Sequence, residues 1–229
     1  MTRAALQVAS VAEGLALEAE AFAAPGASAR LWTSRAPALV CPAAFCQKPG
    51  FGDAAARSAK RGRPVHLRPT GGGAVPQGPG VLNLALCFTA AADFSVEAGY
   101  RLITGVIRDA LAPHGAALSV GATPRSFCDG AWNLSVRGRK VVGAAQRIRP
   151  LGGGTRRVLA HALILADGDI GPGAEAVNAF HAGLSLPPVA AEAHTTLAAA
   201  FGRDAGAFAD RLAASARTSL RAPALHAAA

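Results

Sequence analysis

Apolar and polar positions repeat along this chain with two different periods, and each change of period marks a new element. Residues 10–23 and 95–113 carry apolar side chains three and four positions apart, which is typical of a helix with one buried face. Ser10 stands where a helix N-cap is expected, and Pro113 with Gly115 can end the second helix. The pattern therefore predicts one helix near the amino terminus and another in the middle of the chain.

Short apolar runs bounded by glycine, proline or basic residues predict strands. The strand candidates, in chain order, are RLWTS, PALVC, PVHLRP, GVLNLALCF, AALSVG, AWNLSVRG, RKVVGAAQRIR and RRVLAHALILAD. The glycine-rich stretch PLGGGT between the last two is suited to a hairpin turn. A short helix is predicted over residues 47–62, before the third candidate.

The carboxyl-terminal part returns to a helical pattern. The helical segments after Asp167 are AEAVNAFHAGL and AEAHTTLAAAFGRDAGAFADRLAASA, and the tail RAPALHAAA is expected to fray. The sequence has no internal repeat and no long linker, so it predicts a single domain over residues 1–229. Strands mixed with a few helices indicate the α+β class.

Composition narrows the class of protein. With 51% hydrophobic and 16% charged residues the chain is not of the disordered type, and it has no apolar stretch long enough to span a bilayer. The amino-terminal residues mix acids into the apolar positions, unlike a signal peptide. We therefore expect a cytoplasmic protein. The four cysteines form no CxxC pair and the six histidines are scattered, so no metal site and no disulfide framework is expected.

The net charge of +9 first suggests nucleic acid as a partner. However, the basic residues are spread along the chain and aromatic residues make up only 5%, too few to form stacking platforms for bases. We expect neither nucleic acid nor membrane as a partner. A basic surface also suits an acidic protein or a phosphate-bearing ligand.

The stretch RPTGGGAVPQG, which begins at Arg68, is the first candidate for chemistry. Three consecutive glycines can form a turn, or they can let backbone N–H groups approach a bulky anion. Neither GxxxxGK[ST] nor GxGxxG in its strand–helix context is present, because a strand follows the glycines. The P-loop and Rossmann interpretations are therefore excluded.

Two further stretches change the interpretation. NLSVRGRKVVGAAQRIR contains Lys140, and VLAHALILADGD carries His161 at the head of an apolar strand. With the glycine loop, and in this order, they resemble the lipoate–protein ligase A family and its lipoyl and octanoyl transferase relatives. The resemblance covers about residues 30–169, and the LALEAE stretch of the first helix is similar to the family's opening helix.

The resemblance implies a fold and a set of site residues. The fold would be that of the biotin/lipoate ligase catalytic domain, a mixed sheet flanked by helices, with residues 170–229 forming a helical part without a full accessory domain. Lys140 would stabilise developing negative charge. The residues implied in binding substrate or nucleotide are Arg68, Gly71, Gly72, Gly73, Ala74, Val75, Gln77, Asn83, Gly143, Ala145 and His161. Gln77 replaces a histidine found in many members, and Asn133 replaces an acid, which weakens a magnesium site there.

The resemblance leaves three activities open. The leading hypothesis is an ATP-dependent ligase that attaches lipoate or octanoate to a carrier lysine through an acyl-adenylate, with Mg²⁺ left open. The alternative is an ATP-independent octanoyl or lipoyl transferase that uses a Cys128 thioester, since Cys128 lies twelve residues before Lys140 in the loop SFCDG. Cys128 could equally be a bystander thiol that lines the pocket. The third is a non-catalytic relative that only binds lipoyl domains.

The implied partners are carrier proteins. The acceptor would be the lipoyl domain of a 2-oxoacid dehydrogenase complex or a glycine-cleavage H-type protein. Acyl carrier protein is a candidate donor for the transferase, and a separate accessory chain is a candidate partner for the ligase.

Overall fold

The computed structural model describes residues 5–115, 117–202 and 205–221. The strands are β1 Leu6–Val8, β2 Ser28–Thr33, β3 Ala38–Pro42, β4 Val65–Arg68, β5 Val75–Gln77, β6 Val81–Ala91, β7 Ser119–Val120, β8 Leu134–Val136, β9 Arg139–Leu151 and β10 Thr155–Leu165. The helices are α1 Val11–Ala23, α2 Phe51–Lys60, α3 Val96–Leu111, α4 Gly171–Ala182, α5 Leu197–Phe201 and α6 Ala205–Leu220. Short 3-10 turns occupy Ala43–Gln47, Ala112–His114 and Ala191–Ala193.

The strands form two sheets. The larger has seven strands in the order β1-β2-β6-β10-β9-β8-β7, and the smaller has three in the order β4-β3-β5. Each contains one parallel pair, β1 with β2 and β3 with β4, among antiparallel pairs. The predicted α+β class with a mixed sheet flanked by helices is therefore confirmed.

The two faces of the larger sheet have different surroundings. Successive side chains of a strand point to opposite faces, so each strand contributes to both. On one face Leu84 and Leu86 of β6 pack in the main core with Ile103 of α3 and Leu212 of α6. The residues in between, such as Asn83, point to the other face. That second face forms the floor of the candidate site.

The long periodic elements follow the sequence pattern. Ser10 caps α1 with a reciprocal capping box: the Glu13 N–H donates to Ser10 Oγ at 3.2 Å and the Ser10 N–H to Glu13 Oε2 at 2.7 Å. Helix α3 begins after the Ser95 cap and ends at Leu111, just before Pro113. The β9–β10 hairpin turns through three glycines at 152–154, as predicted.

Two local predictions are wrong. His161 lies in the middle of β10, paired with Ala85 and Ala145, because the strand begins six residues earlier, at Thr155. The helix predicted from residue 191 is interrupted at 194–196, where the chain is extended. The reason is tertiary: the Thr195 N–H donates to the carbonyl of Lys140 at 2.9 Å, and this bond replaces a helical one.

Two points complete the fold. Residues 222–229, most of the tail predicted to fray, lie outside the described residues. None of the described helices combines the length and the apolar character needed to cross a bilayer.

Candidate active site

A pocket lies between the second face of the larger sheet, helix α1 and the smaller sheet. It contains about 590 Å³ of empty space, counting the part open to solvent. Its floor is set by strand register, because Leu163 of β10 lies between Asn83 of β6 and Gly143 of β9. The predicted site residues that line it are Arg68, Val75, Gln77, Asn83, Cys128, Lys140, Gly143, Ala145 and His161.

The walls of this pocket are largely apolar. Leu15 of α1, Trp32 of β2 and Val40 of β3 line it together with Val75 and Leu163. Burying methylene groups against such walls contributes about 0.8 kcal/mol each. The pocket is thus suited to an aliphatic chain with a polar or reactive head group at the cysteine.

The glycine loop packs directly against Cys128. A Cβ built on Gly72 would lie 2.3 Å from Cys128 Sγ, and one on Gly73 would lie 3.1 Å from Cys128 Cα. Gly72 also has a φ of +103°, a backbone conformation that residues with a side chain rarely adopt. The loop therefore needs glycine in order to make room for the thiol, a contact partner that lies 56 positions further along the chain.

Cys128 has an unusual backbone conformation of its own. Its φ is 48°, in the left-handed region that a non-glycine residue adopts at a cost of order 1–3 kcal/mol. Such a conformation persists only where neighbouring groups hold it. Two buried cations and a histidine supply those contacts.

Arg68, the last residue of β4, is the first cation. It is 5% exposed, and its Nη2 donates to the carbonyls of Gly71 at 2.9 Å and Gly73 at 2.8 Å. The same nitrogen lies 3.9 Å from Cys128 Sγ. Burial lowers the pKa of Arg68, against the opposing effect of Cys128. Arg68 therefore fixes the glycine loop and places positive charge beside the thiol.

Lys140, near the start of β9, is the second cation. It is 2% exposed, and its Nζ donates to the carbonyls of Phe127 and, at 2.9 Å, of Cys128. Burial lowers its pKa to about 8, while Cys128 and Asp129 act in the opposite direction. A Cβ on Gly143 would lie 3.0 Å from Nζ, so the absence of a side chain there accommodates the ammonium group.

Gln77 and Asn83 form a buried amide pair. Gln77 Nε2 donates to Asn83 Oδ1 at 2.8 Å, and Asn83 Nδ2 donates back to Gln77 Oε1 at 2.9 Å. The glutamine that replaces the family's histidine is therefore engaged with its neighbour in the pocket wall. Ala74 is fully buried in an apolar cluster with Leu39 and Phe127, whereas a Cβ built on Gly71 would meet no atom within 4 Å.

His161 belongs to a polar network that the sequence did not indicate. Its Nδ1 donates to Glu18 Oε2 at 2.7 Å, since a carboxylate only accepts, and its Nε2 shares a hydrogen bond of 2.9 Å with Thr70 Oγ1. Trp32 Nε1 donates to the other Glu18 oxygen at 2.9 Å. The available signal was Glu18 itself, an acid on the buried face of α1, four residues after Gly14.

The acidic residue that follows Cys128 also holds the cysteine loop in place. Asp129 Oδ1 accepts from the Thr123 N–H at 2.6 Å and from Asn133 Nδ2 at 3.2 Å. Asn133, which stands at the position where the resemblance leads one to expect an acid, thus helps to fix the Asp129 carboxylate.

Comparisons with known proteins indicate the family to which the chain belongs. A family model described as the lipoyl protein ligase A/B catalytic domain matches residues 52–196. An uncharacterised protein of Cupriavidus necator is 38% identical over 171 residues, which is 68% of this chain and 66% of that protein. The octanoyl-[GcvH]:protein N-octanoyltransferase of Kyrpidia tusciae is 35% identical over 144 residues, 59% of this chain and 49% of that enzyme. The chain therefore spans between about half and about two thirds of the length of these relatives.

A solved structure shares the fold. It is the bi-partite lipoate protein ligase with its E2 lipoyl domain from Thermoplasma acidophilum, which superposes with a TM-score of 0.69 at 17% identity. The match covers 96% of this chain and 84% of the other.

Proposed function

Because the chain belongs to the lipoyl protein ligase A/B catalytic-domain family, we propose that it transfers an octanoyl or lipoyl group to a carrier lysine through a thioester on Cys128. The observation that carries this proposal is the position of the Cys128 thiol. It lies in an apolar pocket, against the glycine loop and 3.9 Å from the Arg68 guanidinium. The octanoyltransferase of Kyrpidia tusciae, 35% identical, supports the same activity.

The first step forms the thioester. The Cys128 thiolate attacks the acyl carbonyl of the donor, a sulfur–carbon bond forms, and the donor's thiol or amine leaves with a proton. Lys140, which is mainly protonated near neutral pH because its pKa is about 8, can donate the proton that the leaving group needs. The positive charges of Arg68 and Lys140 stabilise the negative charge that develops beside Cys128.

The second step transfers the acyl group. The acceptor lysine attacks the thioester carbonyl as a neutral amine, a nitrogen–carbon bond forms, and the bond to Cys128 Sγ breaks. Lys140, neutral after the first step, takes the proton that the amine loses, and the Cys128 thiolate is regenerated. No external energy source is needed for either kind of donor. A thioester donor brings an activated acyl group, and with an octanoyl-lysine donor the amide bond that breaks is replaced by an equivalent amide bond on the acceptor.

Arg68 Nη2 and Lys140 Nζ both donate to backbone carbonyls of the glycine and cysteine loops. We therefore assign them the task of holding these loops beside the thiol and assign no phosphate contact to them. We derive no step through ATP, and the transferase takes precedence over the ligase as the proposed activity.

The carriers follow from the chemistry and the charge. A net charge of +9 suits an acidic carrier, and complementary charge mainly raises the rate of association. A GcvH-type protein is the proposed donor or acceptor, in line with the name of the Kyrpidia relative. An E2 lipoyl domain is a further proposed acceptor, and acyl carrier protein a further donor.

Intact-mass spectrometry tests the proposal. The protein is incubated without ATP, in turn with octanoyl-acyl carrier protein and octanoyl-GcvH-type protein, and then with an acceptor lipoyl domain. We expect an octanoyl adduct on the enzyme, then on the acceptor, and neither in Cys128→Ser. Cys46→Ser, which changes an exposed cysteine outside the pocket, serves as the control and retains both.

Two results would contradict the transferase. Transfer that needs ATP and persists in Cys128→Ser would make the protein a ligase. The absence of acyl transfer with or without ATP, together with carrier binding that survives Lys140→Ala, would make it a non-catalytic binding relative.

A further inference from the structure

The segment 190–198, which we call the strap, crosses the loop that carries Cys128. The Ala190 N–H donates to the Arg125 carbonyl at 2.8 Å, at the start of that loop. The Thr195 N–H donates to the Lys140 carbonyl at 2.9 Å, and the Ala198 N–H to the Ala166 carbonyl at 2.9 Å. The strap is thereby bound to the cysteine loop, to β9 and to the chain just after β10.

His194 is the strap side chain that contacts the cysteine loop. It is fully buried, and its Nε2 accepts a hydrogen bond from the Phe127 N–H at 2.8 Å. Its Nδ1 donates to the Ala190 carbonyl at 2.9 Å, and its ring stacks on Phe127 with centroids 3.7 Å apart. Two hydrogen bonds and one stacking contact therefore fix this imidazole.

This arrangement requires one protonation state. A ring nitrogen that accepts from an N–H carries no proton, so His194 must be the neutral Nδ1–H tautomer. Burial, together with the nearby charge of Lys140, lowers its pKa to about 4. Because both nitrogens are engaged, His194 cannot serve as the base that deprotonates Cys128, although histidine often has that task beside a cysteine.

The residue next to the cysteine is held from both sides. His194 binds the N–H of Phe127, and Lys140 Nζ binds its carbonyl oxygen. The orientation of the Phe127 peptide groups fixes the position of the backbone at Cys128, which has a left-handed φ of 48°. Without the histidine, this costly conformation would lose one of the contacts that maintain it.

We propose that His194 is a positioning residue, which holds Phe127 so that the Cys128 thiol stays beside Arg68 and the glycine loop. The inference rests on the proposed function for the role of Cys128 as nucleophile. The contact itself is a matter of structure and can be tested separately.

The first test compares His194→Leu, which loses the acceptor, with His194→Gln, whose amide oxygen can accept from the Phe127 N–H. His181→Leu is the matched control. It removes another buried histidine, on α4, whose Nδ1 is hydrogen-bonded to the backbone carbonyl of Pro187. We expect His194→Leu to lower kcat for acyl transfer by roughly ten- to hundredfold with little change in KM, the scale of a displacement of about 1 Å. His194→Gln should recover part of kcat, and His181→Leu should leave it unchanged.

The second test needs no acyl chemistry. In a Cys46→Ser background, iodoacetamide alkylation of Cys128 is followed by mass spectrometry, and His194→Leu should slow it relative to His181→Leu. If the unaltered protein transfers no acyl group, the proposed function fails while this assay still decides on His194. Equal alkylation and transfer rates in His194→Leu and the unaltered protein would overturn the inference.

Nitrogen-15 NMR of the imidazole covers the case in which His194→Leu does not fold. The unaltered protein should show a protonated Nδ1 and an unprotonated Nε2 for His194. An Nε2–H tautomer cannot accept from Phe127, and observing it would overturn the inference.

Discussion

Gly71 and Gly72 are neighbours in one loop with different surroundings. A Cβ on Gly72 would collide with Cys128 Sγ, and its φ of +103° strains any side chain, whereas a Cβ on Gly71 meets nothing within 4 Å. We therefore expect Gly72→Ala to lower the rate of acyl transfer by about tenfold or more, because the thiol must move. Gly71→Ala is the matched control and should transfer at close to the unaltered rate.

Transfer assays and thermal melts on both variants check this prediction. Equal transfer rates in Gly72→Ala and Gly71→Ala would show that the thiol does not depend on the close approach of the loop.

The same residues show what sequence can indicate at this scale. The glycines and Lys140 were identified because each sits in a local motif. That Gly72 makes room for Cys128 was not apparent, because the two are far apart in the chain. Glu18 and His194 were missed for the same reason: their partners His161 and Phe127 lie 143 and 67 positions away. A buried polar residue acquires its meaning only when the fold supplies its partner.

At the level of elements, α1 reaches the pocket because its start is fixed. Its buried face contributes Glu18 to the pocket and the small Gly14 against the Trp32 ring, where a Cβ would lie 2.4 Å from the ring carbons. The capping box at Ser10 sets where this helix begins. We expect Ser10→Ala to lower the free energy of unfolding by about 1 kcal/mol, since an orphan N–H loses its acceptor.

Urea unfolding of Ser10→Ala and Ser10→Asp measures the cap. Aspartate also accepts from the first-turn N–H groups, so Ser10→Asp should stay close to the unaltered protein. If alanine and aspartate destabilise equally, the capping box does not determine the stability of α1.

An element could be predicted from the sequence where its own pattern of apolar residues, rather than contacts with distant parts of the chain, determines its conformation. Helix α3 and strands β6, β9 and β10 are long and periodic, so tertiary contacts only reinforce their pattern. Strands β1 and β5 have three residues each and show no period of their own. The strap is rich in helix formers, and its extended part at 194–196 depends on the carbonyl of Lys140, which no local pattern reveals.

For the molecule as a whole, the site is assembled from distant parts of the chain. The amino-terminal helix supplies Glu18, the smaller sheet supplies Arg68, and the larger sheet supplies Lys140 and His161. The strap, from the carboxyl-terminal part, supplies His194. The family resemblance indicates Arg68, Lys140 and His161 because these residues lie in short contiguous motifs. The contact of the strap with the cysteine loop becomes visible only in the folded structure.

Acid stability connects His194 to the whole molecule. Its pKa is about 4 in the folded protein against an ordinary value of 6.5, because burial and the nearby cations Lys140 and Arg139 disfavour its charged form. Between these two pH values the unfolded chain binds a proton that the folded chain does not, so the free energy of unfolding falls as the pH is lowered from about 6.5 to about 4. The contribution of this one group is about 3 kcal/mol over that window.

Urea unfolding at pH 7 and pH 4.5 in the unaltered protein and in His194→Gln isolates this contribution. Other groups whose lowered pKa makes them respond to acid in the same direction, such as His181, His66 and Glu13, are common to both proteins. Since glutamine does not titrate, His194→Gln should lose less stability between the two pH values than the unaltered protein, although it starts from a lower value at pH 7. Parallel losses would mean that His194 is not buried in its neutral form, and would remove the physical basis for its bond to Phe127.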